Sequence, residues 1–365
     1  MAKIEKIKTW QMTKPANPKS GEAGVIEYAE IDAPELGPED VLIEIAGCGV
    51  CHTDLGFFYD GVPTIEATPL TLGHEISGTV VEGPADWLGK EVIVPAVMPC
   101  NDCPICAAGR GNRCLAQKMP GNSIGPYGGF SSHIALPFAD LCVVETRDMP
   151  LSHLAVVADA VTTPYQAAMR AELKPGDNVI VTGAAGGVGS HMVQVAKALG
   201  AATVIGIDVD DERLKRTEKY GSDASINCAG LSAKEVKGAF KAICKERGIA
   251  SNYGWKIFEV SGSKPGQDLA LSLLSFTGKL IVVGFTLAKN EYMLSKLMAF
   301  DAEIIGTWGC LPKYYPEVLK LVNDGKVVLA PFIETRPLST ICEVFEEVHS
   351  KKTDKRIILE PDFDK

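Results

Sequence analysis

A short strand that runs straight into a glycine-rich loop and then a helix fixes more of the fold than any other part of this sequence. Residues 177–182 (DNVIVT) are β-branched and apolar, 183–189 (GAAGGVG) form the loop, and 190–200 (SHMVQVAKALG) have helical apolar spacing. Such a turn lets backbone approach a pyrophosphate, and the unpaired N–H groups at a helix N-terminus favour that anion. The candidate contacts are Gly183, Gly186, Gly187, Val188 and Gly189. The match to G-x-G-x-x-G is imperfect, because its first glycine falls at Ala184. Context makes up for it: the next strand, 202–207, ends in Asp208, which lies 19 residues beyond Gly189. That is close to the offset expected of a carboxylate on the adenosine ribose. Since a carboxylate repels a 2′-phosphate, the expected cofactor is NAD rather than NADP.

Strands continue to alternate with helical stretches at 256–260, 279–284 and 302–306, so residues 161–306 are expected to form a doubly wound parallel sheet. The flanking chain differs, with short strands, frequent Gly and Pro and few helices. Residues 1–160 and 307–365 are therefore read as one β-rich, mainly antiparallel domain interrupted by the dinucleotide unit. The charged run SKKTDKR at 350–356 reads as a solvated surface. There are 36 basic against 46 acidic residues, a net charge of −10, which opposes a broad contact with nucleic acid. No apolar run is long enough for a bilayer span, and none follows the charged start as a secretory signal would require. A cytoplasmic location is expected.

In a reducing compartment the eleven cysteines point to metal binding or buried thiols rather than disulfides. Cys100, Cys103, Cys106 and Cys114 form C-x2-C-x2-C-x7-C in a loop rich in Pro, Gly and Asn. Four thiolates that close a tetrahedron suit a structural zinc, because no position is left for substrate. A second cluster, GCGVCHTD at 47–54, is followed by Gly73-His74-Glu75. Cys48 and Cys51 have dithiol spacing, but no thioredoxin-type unit surrounds them. Cys51 and His74 read better as two ligands of an open site, which needs a third protein ligand.

CGVCHTD, GHE, the four-cysteine lobe, GGF at 128–130 and GAAGGVG occur in one order along nearly the whole chain. In this the sequence resembles the zinc-dependent medium-chain alcohol dehydrogenases. The resemblance implies a GroES-like catalytic domain followed by a Rossmann domain, two zinc ions per chain, NAD, and a dimer or tetramer. It also implies that Cys51 and His74 bind the catalytic zinc, Asp54 orients His74, Thr53 takes the alcohol proton and His52 lies near the pyrophosphate. Arg213, Val283, Phe285 and Thr307 match further cofactor-contacting positions. A zinc-free reductase on the same fold should lack Cys51 and His74.

Two departures from the family pattern bear on the chemistry. Where many members carry a cysteine as third zinc ligand, this chain has Asp159, in LAVVADAVTTPYQAAM. A hard oxygen ligand leaves more positive charge on the metal than thiolate would. The alternatives are that Asp159 caps the helix that follows and that Glu75 completes the metal shell. Where several members carry a proton-relay histidine, this chain has Gly56. These features resemble family members that act on cyclic hydroxyacyl-CoA thioesters in anaerobic aromatic degradation. They imply a cyclic secondary alcohol, with Arg110, Arg113, Lys118, Lys313 and Arg336 as candidates for the CoA phosphates. The alternative is a general dehydrogenase of small primary, secondary or aromatic alcohols.

Overall fold

The computed structural model describes residues 3–363. The described residues divide into two compact units, one of residues 3–162, 309–323 and 329–363, the other of 163–308 and 324–328.

The second unit is built on six parallel strands. In spatial order they are Ala224–Asn227, Thr203–Asp208, Asn178–Thr182, Lys256–Glu259, Lys279–Val282 and Glu303–Gly306. Parallel strands are covered on both faces, which explains their continuous apolar runs. Ile180 pairs with Ile205 on one side and Ile257 on the other. All three are fully buried, and Trp255, Phe240, Leu269 and Leu280 complete their cluster. Burial of each such side chain is worth about 1.5–3 kcal/mol. The first strand in sequence lies at the centre, the next two step to one side and the last three to the other. Strand order therefore reverses between Asn178–Thr182 and Lys256–Glu259, and the crevice at their carboxyl ends is where dinucleotides bind in such sheets. The helices begin on local caps: Asp210 accepts from the Arg213 amide, and Ser232 and Glu235 form a reciprocal capping box.

The first unit contains a seven-stranded, mostly antiparallel sheet and a three-stranded one. Asp40–Gly49 is the hub of the larger sheet, pairing with Glu75–Glu82, His133–Pro137 and Arg356–Glu360. Phe345, on the helix Ile341–His349, meets Phe58 and Phe130 edge-on and ties the C-terminal segment into the core. The chain end thus corrects one expectation. Arg356, the last residue of the charged run, is not on a solvated surface but is only 7% exposed. It opens a strand whose Ile358 and Leu359 pair with Gly49 and Cys48, and this pairing carries its side chain inward. Among the described residues, no helix is long and apolar enough to cross a membrane.

Candidate active site and metal centres

The buried strand Asp40–Gly49 ends two residues before the helix His52–Tyr59, and Cys51 stands at that junction as N-cap. Asp54, in the first turn, is fully buried, and its carboxylate organises the junction. One oxygen accepts from the Cys51 amide at 3.0 Å. The other accepts from the Gly73 amide at 3.1 Å and lies 3.1 Å from His74 Nδ1. An Nδ1–H held by carboxylate leaves Nε2 free as a ligand atom. Asp159 arrives from another direction, at the end of the apolar 3-10 turn Leu151–Ala158. That turn is buried against the strand Glu75–Glu82, where the Ser77 hydroxyl donates to the Leu151 carbonyl at 2.7 Å.

Cys51, His74, Glu75 and Asp159 offer ligand atoms within 4.8 Å of one another. Asp159 Oδ2 lies 3.6 Å from Cys51 Sγ and 3.7 Å from His74 Nε2. A tetrahedral zinc with ordinary bond lengths would set these separations at about 3.5 and about 3.3 Å. The three atoms are thus spaced for a shared cation rather than for direct contact. Electrostatics agree: burial alone would lower the His74 imidazole, but the charge of Asp54, with Asp159 and Cys51 close by, raises it well above its ordinary value. A site this negative favours a cation. The helix that follows begins at Thr162, three residues beyond Asp159.

Glu75 is differently engaged. Arg356 Nε donates to its Oε2 at 2.8 Å and Nη2 donates to Oε1, forming a bidentate buried pair. Burial pushes the Glu75 carboxyl up, and the Arg356 guanidinium opposes that shift. Gly49 makes room for the pair, since a Cβ there would lie 2.0 Å from Glu75 Oε2. Sequence reading missed Arg356, and its position inside a charged run masked it.

In the cysteine lobe the sulfur atoms of Cys100, Cys103, Cys106 and Cys114 lie 3.4 to 4.0 Å apart along four edges. A tetrahedral zinc–thiolate site sets sulfurs about 3.8 Å apart. The Cys106 amide donates to Cys103 Sγ and draws that thiol below its ordinary value, while burial pushes the neighbouring Cys106 thiol up. Cys48 joins neither cluster, and burial pushes its thiol well above the ordinary value.

The remaining candidates fall in several places. Thr53 Oγ1 is 3.7 Å from Cys51 Sγ. His52 is exposed at the first position of its helix, and Gly56 lies buried within that helix. In the second unit Gly183, Gly186 and Gly187 form the turn before the helix Gly189–Ala198, with Val188 as its N-cap. A Cβ on Gly189 would lie 1.9 Å from the Gly183 carbonyl, so only glycine allows this packing. Asp208 Oδ2 accepts from the Ala185 amide at 2.9 Å, which fixes it beside the loop. Arg213 Nε lies 3.2 Å from Asp210 Oδ2. The Val283 amide donates to the Glu259 carbonyl, and Phe285 is 64% exposed. The Thr307 hydroxyl is buried without a hydrogen-bond partner among the described residues. Of the basic candidates, Arg336 is committed to Glu334 and Glu347 at 2.7 Å each. His133, His153, His191 and His349 belong to neither metal cluster.

Comparison with known proteins gives this architecture its class. Residues 37–146 match the family model "Alcohol dehydrogenase GroES-like domain", and residues 187–324 match "Zinc-binding dehydrogenase". An alcohol dehydrogenase of Geobacillus stearothermophilus is 30% identical over 339 residues, covering 92% of this chain and 95% of that protein. An NAD-dependent alcohol dehydrogenase of Sulfolobus acidocaldarius is 29% identical over 312 residues, covering 83% and 87%. The crystal structure of galactitol-1-phosphate dehydrogenase from Escherichia coli shares the fold, with a TM-score of 0.83 at 23% identity, covering 97% of this chain and 100% of that one. The chain belongs to the zinc-binding medium-chain alcohol dehydrogenase family. It is an NAD-dependent oxidoreductase with zinc as its metal.

Proposed function

We propose that Cys51, His74 and Asp159 hold a catalytic zinc, that the four-cysteine lobe holds a structural one, and that the substrate is the cyclic secondary alcohol 6-hydroxycyclohex-1-ene-1-carbonyl-CoA. The observation that carries the metal reading is the convergence of thiolate, imidazole and carboxylate at zinc spacing around Asp159. The substrate reading is supported by Asp159 together with Gly56 in the run of family motifs. Bound zinc would acidify the alcohol hydroxyl and NAD would supply the hydride acceptor. The chain's own residues do the rest. Asp54 fixes the tautomer of His74 and the approach of Cys51 together. Thr53 Oγ1, beside Cys51, accepts the alcohol proton. Gly56 offers no base, so His52, exposed on the same helix, is available to pass that proton outward. Burial, followed by the charges of Arg356 and Lys351, lowers the His52 imidazole to about 4, so it is neutral at pH 7; its place beside the cofactor pyrophosphate rests on the family resemblance. Asp208 takes the adenosine ribose, helped by Arg213, while Val283, Phe285 and Thr307 face the nicotinamide end. A cytoplasmic setting suits thiolate donors.

The CoA phosphates need basic partners, and Arg110, Arg113, Lys118 and Lys313 are exposed on the unit that carries the zinc residues. A second reading, a general dehydrogenase of small alcohols, is favoured by the ion pairs that occupy Arg336. The two are separated by kcat/KM for the CoA ester against cyclohexenols and benzyl alcohol over a range of ionic strength. A CoA ester that outperforms the small alcohols, with an advantage that salt screens, supports the first reading. Equal values refute it. We also propose a homo-oligomer, dimer or tetramer. It is supported by the exposed Ile304 on the edge strand Glu303–Gly306 and the exposed Met293, Leu294 and Met298 nearby in sequence. A monomer by light scattering would overturn that.

A further inference from the structure

We infer that Tyr315 is a positioning residue for Asp159, clamping the backbone from which the third zinc-ligand carboxylate projects. The inference rests on the reading of Asp159 as a zinc ligand. Tyr315 opens the helix Tyr315–Asn323 and is fully buried. Its hydroxyl makes two main-chain hydrogen bonds. It donates to the Ala158 carbonyl at 2.5 Å and accepts from the Ala96 amide at 3.0 Å. The Ala158 carbonyl receives a second hydroxyl, Thr162 Oγ1, at 3.0 Å. Ala158 is the last residue of the turn Leu151–Ala158, and Asp159 follows it directly. Two hydroxyls thus hold the peptide from which the Asp159 side chain departs.

This clamp has leverage because the aspartate side chain is short. Zinc–ligand distances tolerate only about 0.2 Å of error, and one methylene cannot absorb a larger backbone shift. Asp159 Oδ2 now stands 3.6 Å from Cys51 Sγ and 3.7 Å from His74 Nε2. Burial pushes the Tyr315 hydroxyl well above its ordinary value, so it remains a donor. Cys310 and Thr162, both buried, and Asp159 are also in its electrostatic surroundings. The phenol also spans sequence: it joins residues 96 and 158 to the segment that resumes after the dinucleotide unit.

The test replaces only the hydroxyl. Tyr315→Phe keeps the ring and its packing, and Thr162→Val removes the other donor to the same carbonyl. Each purified holoenzyme is mixed with a chromogenic chelator and the release of its two zinc ions is timed, with the lobe zinc as internal reference. Loss of an orienting contact behind a ligand costs roughly 10-fold or more in metal affinity, so Tyr315→Phe should lose the catalytic-site ion about 10-fold faster, with lobe release unchanged. Its cobalt-substituted form should show a shifted visible absorption, and kcat should fall with little change in the KM for NAD. Wild-type release and wild-type cobalt absorption would overturn the inference, whatever happens to thermal stability. If Tyr315→Phe does not fold, the same two readouts on Thr162→Val decide, with the same expected directions. Asp159→Ala separates the two levels. If it keeps both ions at wild-type release rates, the ligand reading itself fails and the clamp with it. If it loses one while Tyr315→Phe behaves as wild type, only the clamp fails.

Discussion

Replacing Arg356 with methionine removes one half of a buried ion pair while keeping much of the side chain's length. The Arg356 and Glu75 side chains are 5% and 0% exposed, and the contact is bidentate. An exposed pair would be worth about 0–1 kcal/mol, but breaking a buried one by removing a single partner costs about 3–5 kcal/mol, because the remaining charge is stranded without water. Glu75 cannot reach water, being fully buried in the strand Glu75–Glu82 with its carboxylate in the space left by Gly49; burial already pushes its carboxyl up to about 7, so without Arg356 it must either stay charged or take up a proton, and both cost stability. Arg356→Met should therefore cost about 3–5 kcal/mol, and Glu75→Gln a comparable amount. The double variant strands no charge and should recover a large part of the sum, leaving a coupling of about 2 kcal/mol or more. Urea unfolding at a fixed free zinc concentration measures the cycle, and fixing zinc matters because an ion that binds only the folded chain adds its own stabilisation. A cost below about 1 kcal/mol for Arg356→Met, or strict additivity in the double variant, would refute the reasoning.

Three further outcomes are expected. Elemental analysis should give two zinc ions per chain, and Cys114→Ser should lower thermal stability more than it alters the turnover of surviving protein. Asp159→Ala should lose the catalytic ion or nearly all turnover, whereas a lost helix cap would cost only about 1 kcal/mol of stability; retention of both zinc and kinetics would leave Glu75 as the candidate ligand. NAD should be preferred over NADP in kcat/KM, and Asp208→Gly should narrow the gap, with Asp210 and Asp211 preserving part of it; equal use of the two cofactors by the wild-type enzyme would remove Asp208 from its role.

The parts of this protein that were legible in its sequence are those whose physics is local. Parallel strands covered on both faces need unbroken β-branched runs, so VIVT and TVIGI announced themselves. Four thiols within 15 residues can reach one point through a single turning loop, and spacing alone sufficed to find them. Cys51, His74 and Asp159 are a different case. They are 23 and 85 residues apart in sequence; residue type alone suggested pairing Cys51 with His74, and only the resemblance to a family brought Asp159 to them. Arg356 and Tyr315 lay beyond both kinds of reasoning. Arg356 looks solvated because the charges on its N-terminal side dominate the local pattern, and only the pairing of Ile358 with Gly49 reveals that it turns inward. The value of Tyr315 lies in one hydroxyl directed at the carbonyl of a residue 157 positions earlier, and no periodicity records that.

The same two residues change how the chain's organisation should be understood. Every side chain in the four-residue ligand cluster lies before residue 160, yet two groups that hold the cluster in place, the Arg356 guanidinium and the Tyr315 hydroxyl, come after residue 308. The dinucleotide unit is thus inserted between the ligands and their supports, rather than simply following a finished metal domain. A fragment ending near residue 162 would keep every ligand atom. It would also strand Glu75 as a buried charge and release the Ala158 carbonyl from one of its two donors. On magnitudes alone the first loss outweighs the second, since an unpaired buried charge costs about 3–5 kcal/mol and a neutral hydrogen bond about 1 kcal/mol. The candidate ligands and the two groups that contact them or their backbone thus come from segments on both sides of the dinucleotide unit.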